Sequence, residues 1–332
     1  MIWLTWRQFR AQALVVYGAA AVLAAFLAAT GPHLAQQYRA HGPVFLGQVS
    51  GTDTALYVIG ALAVLAVPFL IGMFWGAPLV TRELAAGTHR LAWTLTTPGR
   101  WLAAKLAVTG LAAMAAAGLL SLAVSWWAAP VDAAIATRDG APGPGILIFP
   151  RLWPEIFDSR GIVPVGYAAF AFVLGVAIGV LVKRILPAMA LLLAVLAVTQ
   201  VFMSVVVRPN VIPPEHLTAP ITAADLTLIS IDNSLTITID RPGAWLTGQH
   251  TVNAAGQPAS PPSWVIQCPG SRPGDPDQAC FARLARRGYR QEISYEPASR
   301  FWPLQIAETG IYLVLALGLA GLTAWRVRRR LS

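Results

Sequence analysis

The residue types that most often perform chemistry are few and widely separated in this sequence. The five histidines lie in different segments, and the two cysteines are too far apart for a CxxC zinc or redox motif. The HExxH motif of zinc proteases, the GxSxG motif of serine hydrolases and the GxxxxGK phosphate-binding loop are all missing from the sequence. The sequence therefore predicts no catalytic residue, no metal site and no cofactor bound by this chain.

One segment, residues 82–100, has the composition expected of a surface that docks on another protein. Gly87 and Thr88 can end one helix and cap the next, and Pro98 ends that second helix. The segment combines charged side chains with a short apolar ridge: Arg82, Glu83, Arg90 and Arg100, then Leu91, Trp93 and Leu95. Its predicted chemistry is recognition of a partner rather than catalysis.

The composition indicates which elements carry this segment. Hydrophobic residues make up 56% of the 332 residues, and charged residues only 12% against about 25% in soluble domains. The mean hydropathy is +0.60. These values exclude a soluble enzyme and a disordered chain, and they predict an all-α polytopic membrane protein. Six stretches are long and apolar enough to span a bilayer: residues 13–29, 56–80, 102–129, 162–182, 185–207 and 304–325.

The positions of lysine and arginine predict the orientation of these spans. Basic residues concentrate before span one, between spans two and three, in the Lys183-Arg184 turn between spans four and five, and after span six. The positive-inside rule places all four segments in the cytoplasm, where Glu83 is the only acid. We therefore expect a multi-pass plasma-membrane protein with both termini cytoplasmic. The net charge of +9 is then an orientation signal rather than a nucleic-acid footprint.

The long segment 208–303 is predicted to be a small α+β extracytoplasmic domain between spans five and six. Alternating residues predict a hairpin at 227–240 and strands at 263–268 and 289–295, and residues 281–287 suit a short helix. An oxidising compartment favours a disulfide between Cys268 and Cys280, with two free thiols as the alternative. The outer loop 130–161 contains a Pro/Gly-rich run that breaks any helix there.

The N-terminal residues 1–12 have two interpretations. Alternating aromatic and basic side chains predict an amphipathic helix lying at the cytoplasmic interface. A cleaved signal peptide is the alternative, although the apolar residues before span one do not resemble the usual polar start of such a peptide.

Polar residues within the spans are few. Gly175 and Gly179 form a GxxxG pattern that permits close helix approach, and Glu308 is expected to lie at the membrane interface near the outer end of span six. The remaining polar groups either bond neighbouring helices or line a substrate path: Thr109, Ser121, Thr199, Gln200 and Ser204.

The segment after span two resembles the corresponding loop of the ABC-2 type exporter permeases, which has the pattern R-E-x-x-x-G-T, then Leu, T-P, Arg and Lys. The matching residues are Arg82, Glu83, Gly87, Thr88, Leu91, Thr97, Pro98, Arg100 and Lys105. The opening ten residues also look like those of actinobacterial members. The six spans, with a domain between the last two, are similar to the family's plan.

This resemblance implies the permease subunit of an ATP-driven exporter that moves a lipophilic small molecule or peptide outward by alternating access. It implies a separate ABC ATP-binding subunit that carries ATP and Mg, a second permease chain (a homodimer or a homologue), and surrounding membrane lipid. The helix around residues 90–97 would couple to the ATPase, and Lys183-Arg184 would be a second contact. The alternative is a non-transporting membrane sensor or anchor whose external domain binds a ligand.

Overall fold

The structure is a computed structural model, and it describes residues 2–86, 98–137, 148–222, 226–229, 235–237, 241–267 and 278–331. Within these ranges, six helices are long and apolar enough to cross a membrane. The chain is therefore a mostly helical, polytopic membrane protein, as the sequence predicts. Large apolar side chains on the outer faces of these helices, such as Leu119, Leu186 and Leu317, are exposed on the bundle surface where lipid would contact them.

The bundle is built from long antiparallel helices joined by short segments. Helix α1 spans Ile2–His41, α2 spans Gly51–Ile71, and a π-helical turn, Gly72–Gly76, connects α2 to α3 at Ala77–Ala86. Then follow α4 (Pro98–Ala136), a short α5 (Pro154–Phe157), α6 (Val163–Val182), α7 (Ile185–Phe202), a second π turn (Met203–Val207), α8 (Arg208–Val211) and finally α10 (Phe301–Leu331).

Helix α1 differs from the predicted arrangement of an interfacial helix followed by span one. It is continuous from Ile2 to His41, so residues 2–12 extend the first span instead of forming a separate helix. Phe9 is buried and packs edge-to-face on Trp75, with the two ring centroids 4.5 Å apart. Since α1 contains good helix formers and no glycine before Gly18, the local sequence gives no reason for a break.

Helix α6 is the most buried of the six spans, and its glycines allow the backbone of the second span to approach it closely. A Cβ atom added at Gly175 would lie 3.0 Å from the Ala77 nitrogen and 3.1 Å from the Gly76 Cα. One added at Gly179 would lie 2.5 Å from the Ala77 carbonyl oxygen. The GxxxG pattern therefore marks a direct backbone contact between α6 and the α2–α3 unit.

Two residues separate α6 from α7, as the tight turn in the sequence predicts. Lys183 ends α6 in the left-handed conformation, with φ of 57°, and its N–H group donates to the Gly179 carbonyl. A left-handed residue in this position is the usual way to terminate a helix and reverse the chain. The turn therefore places Lys183 and Arg184 at one end of the bundle.

The part of the outer loop that the structure describes after the gap, residues 148–161, is packed onto the helices. The Tyr57 hydroxyl donates to the Phe149 carbonyl at 3.0 Å, and the buried Arg160 donates from Nη1 to the Val124 carbonyl at 3.0 Å. Helix α4 also continues through Pro130 to Ala136, beyond the predicted end of the third span at residue 129.

The domain between α8 and α10 contains a three-stranded antiparallel sheet in the order β1-β5-β4, formed by Glu215–Pro220, Arg290–Glu296 and Trp245–Val252. The predicted hairpin is present as β2 (Leu226–Ile229) paired with β3 (Leu235–Ile237). The predicted short helix corresponds to α9 (Gln278–Arg286).

The strand predicted at 263–268 is wrong. Residues Ser263–Gln267 form a 3-10 helix, in which the Val265 amide donates to the Pro262 carbonyl. Pro261 and Pro262 cannot donate to a strand ladder and fix φ near turn values, so a helical turn begins here instead. The sequence did not predict strands β1 and β4, because polar residues and a glycine interrupt their alternation of apolar and polar side chains.

Substituting Gly175 with alanine tests the backbone contact. We expect Gly175→Ala to lower the thermal midpoint of the detergent-solubilised protein, because its new methyl group would meet the backbone at Gly76 and Ala77. Gly18→Ala is the matched control, since nothing lies within 4 Å of its Cβ position and alanine favours a helix. Equal midpoints for the two variants in a fluorescence-monitored melt would contradict the close contact.

Candidate functional site

The end of the bundle that carries Lys183 also carries both ends of the segment with the permease-like pattern. Arg82 and Glu83 belong to α3, with side chains outside the described set, while Pro98 is the first residue of α4 and Arg100 is exposed. The middle of the segment lies outside the described residues: Gly87, Thr88, Arg90, Leu91, Trp93, Leu95 and Thr97. We call this end of the bundle, with Lys183 and Arg184, the basic end.

Close packing joins the two parts of the basic end. Thr81 is the last residue of α3 whose side chain is described, and it is buried. It lies against Gly179, one turn before Lys183. On α4, Lys105 is 5% exposed and its Nζ atom lies 4.7 Å from the centre of the Trp101 ring. The described end of α3 is thus held next to the α6–α7 turn.

The opposite end of the bundle contains a buried ion network centred on Arg208. Its Nε atom donates to Glu308 Oε2 at 2.9 Å, and its Nη2 atom donates to Glu308 Oε1 at 3.1 Å and also to Asp158. The guanidinium lies over the Phe157 ring, 4.2 Å from its centre. The Arg208 side chain is fully buried, and both carboxylates are 4% exposed. The network ties α8 and α10 to the outer loop.

Asp158 extends this network to α7. Its Oδ2 atom accepts hydrogen bonds from Gln200 Nε2 and, at 3.5 Å, from the Ser204 hydroxyl. Ser204 lies in the π turn that follows α7, a type of irregularity that is common at functional sites. Breaking a buried ion pair by removing one partner typically costs about 3–5 kcal/mol, so each member of the network helps to hold this end together.

The charges in the network do not cancel. One guanidinium faces two carboxyl groups, which leaves one negative charge in excess when both are ionised. Burial raises the pKa of Asp158 from its ordinary 3.8 to about 7, against the opposing effect of Arg208 and with a further increase from the Glu308 charge. The network therefore retains a proton at mildly acidic pH.

Gln305 links the outer loop to the start of α6 without adding charge. Its Oε1 atom accepts from the Ile162 and Val163 amides, both at 2.9 Å, and its Nε2 atom donates to the Phe157 carbonyl at 3.0 Å. It thus satisfies two of the free amides at the helix N-terminus. Gly161 adopts φ of 64°, and a Cβ atom there would lie 2.7 Å from Gln305 Oε1, so glycine is required.

A cleft of about 600 Å³ lies beside the network, between the second span, α5, α7 and strand β4. Asp158, Gln200 and Ser204 contribute polar groups to its wall, and the remainder is largely apolar. The residues of that remainder include Leu65, Phe69, Val201, Val205, Trp245 and Leu246. A cleft that combines an apolar lining with a few convergent polar groups is typical of a small-molecule site.

A family model described as "ABC-2 membrane transporter related" matches residues 17–208, more than half of the chain. The chain belongs to this family. No curated protein and no solved structure matches it. The matched region contains most of span one, spans two to five and the whole 82–100 segment, and it ends at Arg208. The resemblance drawn from that segment is therefore confirmed for this ABC-2 protein.

The polar residues that the sequence suggested for a substrate path separate into two groups. Gln200 and Ser204 line the cleft. The other three are hydrogen-bonded or buried within the bundle. The Thr199 hydroxyl donates to the Val195 carbonyl, the Ser121 hydroxyl donates to the Gly161 carbonyl, and Thr109 is fully buried. Of the suggested residues, the structure therefore brings together only Gln200 and Ser204 at the cleft.

Glu308 was expected at the membrane interface near the outer end of span six, and that depth stays a prediction. It is buried and paired with Arg208, because α10 packs against α6 and α8 and carries Glu308 into the bundle. Sequence reasoning also missed Asp158, Arg208 and Gln305 as site residues. The available signal was that charges of opposite sign lie near the same ends of neighbouring spans, but this did not show which charges pair.

The sequence predicts a disulfide between Cys268 and Cys280, and the structure describes only the second of these residues. Cys280, in α9, is disulfide-bonded. Its predicted partner, Cys268, lies outside the described residues.

The raised pKa of Asp158 predicts that this ABC-2 protein is more stable at mildly acidic pH. Between pH 3.8 and about 7, the folded state keeps a proton that the unfolded state releases, so the free energy of unfolding falls as the pH rises through this window. We expect the thermal midpoint to decrease from about pH 5 to about pH 8, with a smaller decrease for Asp158→Asn. The control is Glu215→Gln, an exposed acid on strand β1 that is not among the groups acting on Asp158, and it should keep the wild-type slope. Identical slopes for wild type and Asp158→Asn would contradict the assignment.

Proposed function

We propose that this chain is the membrane-spanning permease subunit of an ATP-driven exporter. The observation that carries the proposal is the family match over the region that holds most of span one, spans two to five and the Arg82–Lys105 pattern. ATP and Mg would be bound by a separate ATP-binding subunit, since this sequence has no phosphate-binding loop. A second permease chain, identical or homologous, would complete the path in the plasma membrane, with both termini cytoplasmic.

The packing of the basic end supports a route for coupling. The described end of α3 and the Lys183-Arg184 turn lie at the same end of the bundle and are joined through the α3–α6 backbone contact at Gly179 and Ala77. A force applied to either element by the ATP-binding subunit would therefore act on α6, the most buried span. Rigid-body tilting of packed helices is an established way to switch between inward- and outward-facing states.

The cleft supports a lipophilic small molecule or peptide as the transported substrate. Most of its wall is apolar, and Val201 and Val205 on the α7 side are 63% and 66% exposed. A compound dissolved in the membrane can reach such a cleft from the side. Outward transport is the direction that the family resemblance implies.

Substitutions in the docking segment test the coupling. We expect Glu83→Ala and Pro98→Ala to reduce substrate-stimulated ATP hydrolysis severalfold in a reconstituted complex, because they alter the two ends of the segment proposed to contact the ATPase. Membrane insertion should be unchanged, because neither residue lies in the centre of a span. The control is Glu292→Ala, an acid on strand β5 of the domain at the other end. Full stimulation in both docking-segment variants would overturn the coupling assignment.

Purification of the tagged chain tests the partnership itself. We expect an ATP-binding protein of the ABC class to co-purify, and to be identified by mass spectrometry and by ATP hydrolysis in the purified sample. If the chain instead purifies without any ATP-binding protein from its native membrane, the sensor or anchor hypothesis replaces the permease.

A further inference from the structure

The cleft beside Asp158 has two buried polar atoms that lack a hydrogen-bond partner. They are Gln200 Oε1 and Thr247 Oγ1, and both residues line the cleft. Gln200 uses its Nε2 atom to donate to Asp158, so its carbonyl oxygen is left as an acceptor. Because buried polar atoms in native proteins are nearly always hydrogen-bonded, these two atoms indicate where a bound molecule contributes the missing partner.

The charge on the same wall is negative. Among the described residues, the groups that act on Asp158 are one cation, Arg208, and two further acids, Glu308 and Glu155. Arg208 is already shared between two carboxylates, so it cannot neutralise both. An uncompensated negative charge beside an apolar wall is best satisfied by a cation that carries its own hydrogen-bond donors.

The remainder of the cleft specifies the body of such a ligand. Phe69, Leu65 and Trp245 contribute apolar side chains to the lining, and the volume of about 600 Å³ admits a drug-sized compound. The exposed Val201 and Val205 lie on the side of α7 that faces away from the bundle core. The ligand therefore needs an apolar body as well as a charged head.

We propose that this cleft binds a lipophilic ammonium compound, with its N–H donors directed to Asp158, Gln200 Oε1 and Thr247 Oγ1 and its apolar body against Phe69 and Trp245. Its role as cargo rests on the proposed exporter function, whereas the binding itself belongs to this chain alone. The cleft is bounded by spans two and five, by the outer loop and by strand β4, so the domain contributes one wall of the site.

Three adamantane derivatives with one shape and different heads test the ligand class. Isothermal titration of the purified full chain in detergent at about pH 8, above the pKa of Asp158, would compare 1-adamantanamine with 1-adamantanol and adamantane-1-carboxylate. We expect the ammonium compound to bind at least about tenfold more tightly than the alcohol, and the carboxylate to be the weakest. Equal affinities, tighter binding of the carboxylate, or no measurable binding of the ammonium compound would overturn the proposal, the last leaving the cleft to ordered water.

Substitutions locate the binding in this cleft. Val205→Trp fills the cleft from α7 and should abolish ammonium binding, while Val198→Trp is the matched control, because Val198 is equally exposed, lies two turns earlier on the same helix and does not line the cleft. Asp158→Asn should weaken binding at least about tenfold, and Thr247→Val should weaken it severalfold without touching the ion network. Unchanged affinity in Val205→Trp would overturn the location even if the Asp158 variant fails to fold.

The two proposals fail in different ways. Binding is measured on the permease alone, whereas the exporter function is measured by co-purification and ATP hydrolysis of the complex. Loss of the ammonium preference with intact ATPase coupling would refute only the ligand class. Retained binding with no ATP-binding partner would refute only the exporter function.

Discussion

A charged side chain inside an apolar helix bundle needs a counter-charge and hydrogen-bond partners within the bundle, because lipid supplies neither. Arg208 meets this requirement through Asp158 on the outer loop and Glu308 on α10, and the pairing fixes three separate parts of the chain relative to one another. Gln305 completes the same junction by bonding the start of α6. The end of the bundle that bears the domain is therefore organised by polar groups.

The opposite end is organised by close backbone packing. Gly175 and Gly179 let the second span lie directly against α6, which leaves little freedom for the two to move independently. The described end of α3 is therefore packed on α6, whose other end is bonded by Gln305 at the Arg208 junction. The cleft adjoins that junction, so its shape is sensitive to the position of the outer loop and of α10.

The sequence predicted the fold of the membrane region more completely than the fold of the domain. The six spans follow from the length of the continuous apolar stretches, which does not depend on how the helices pack. Strands such as β1 and β4 are short, polar on one face and paired with a distant segment, so local pattern was insufficient. At 263–267 the alternating pattern suggested a strand, but the two prolines that precede this segment favour a helical turn.

The sequence by itself determined the number of spans, the concentration of basic residues at particular segment boundaries, and the family, through the Arg82–Lys105 pattern and the apolar helices. Only the tertiary structure decided the site. It paired Glu308 with Arg208 across 100 residues, turned Gln200 and Ser204 toward Asp158, and placed strand β4 over α7 to form the cleft. The physical reason is that apolar length and charge placement act locally along the chain. Ion pairing and cavity shape arise only where distant helices meet.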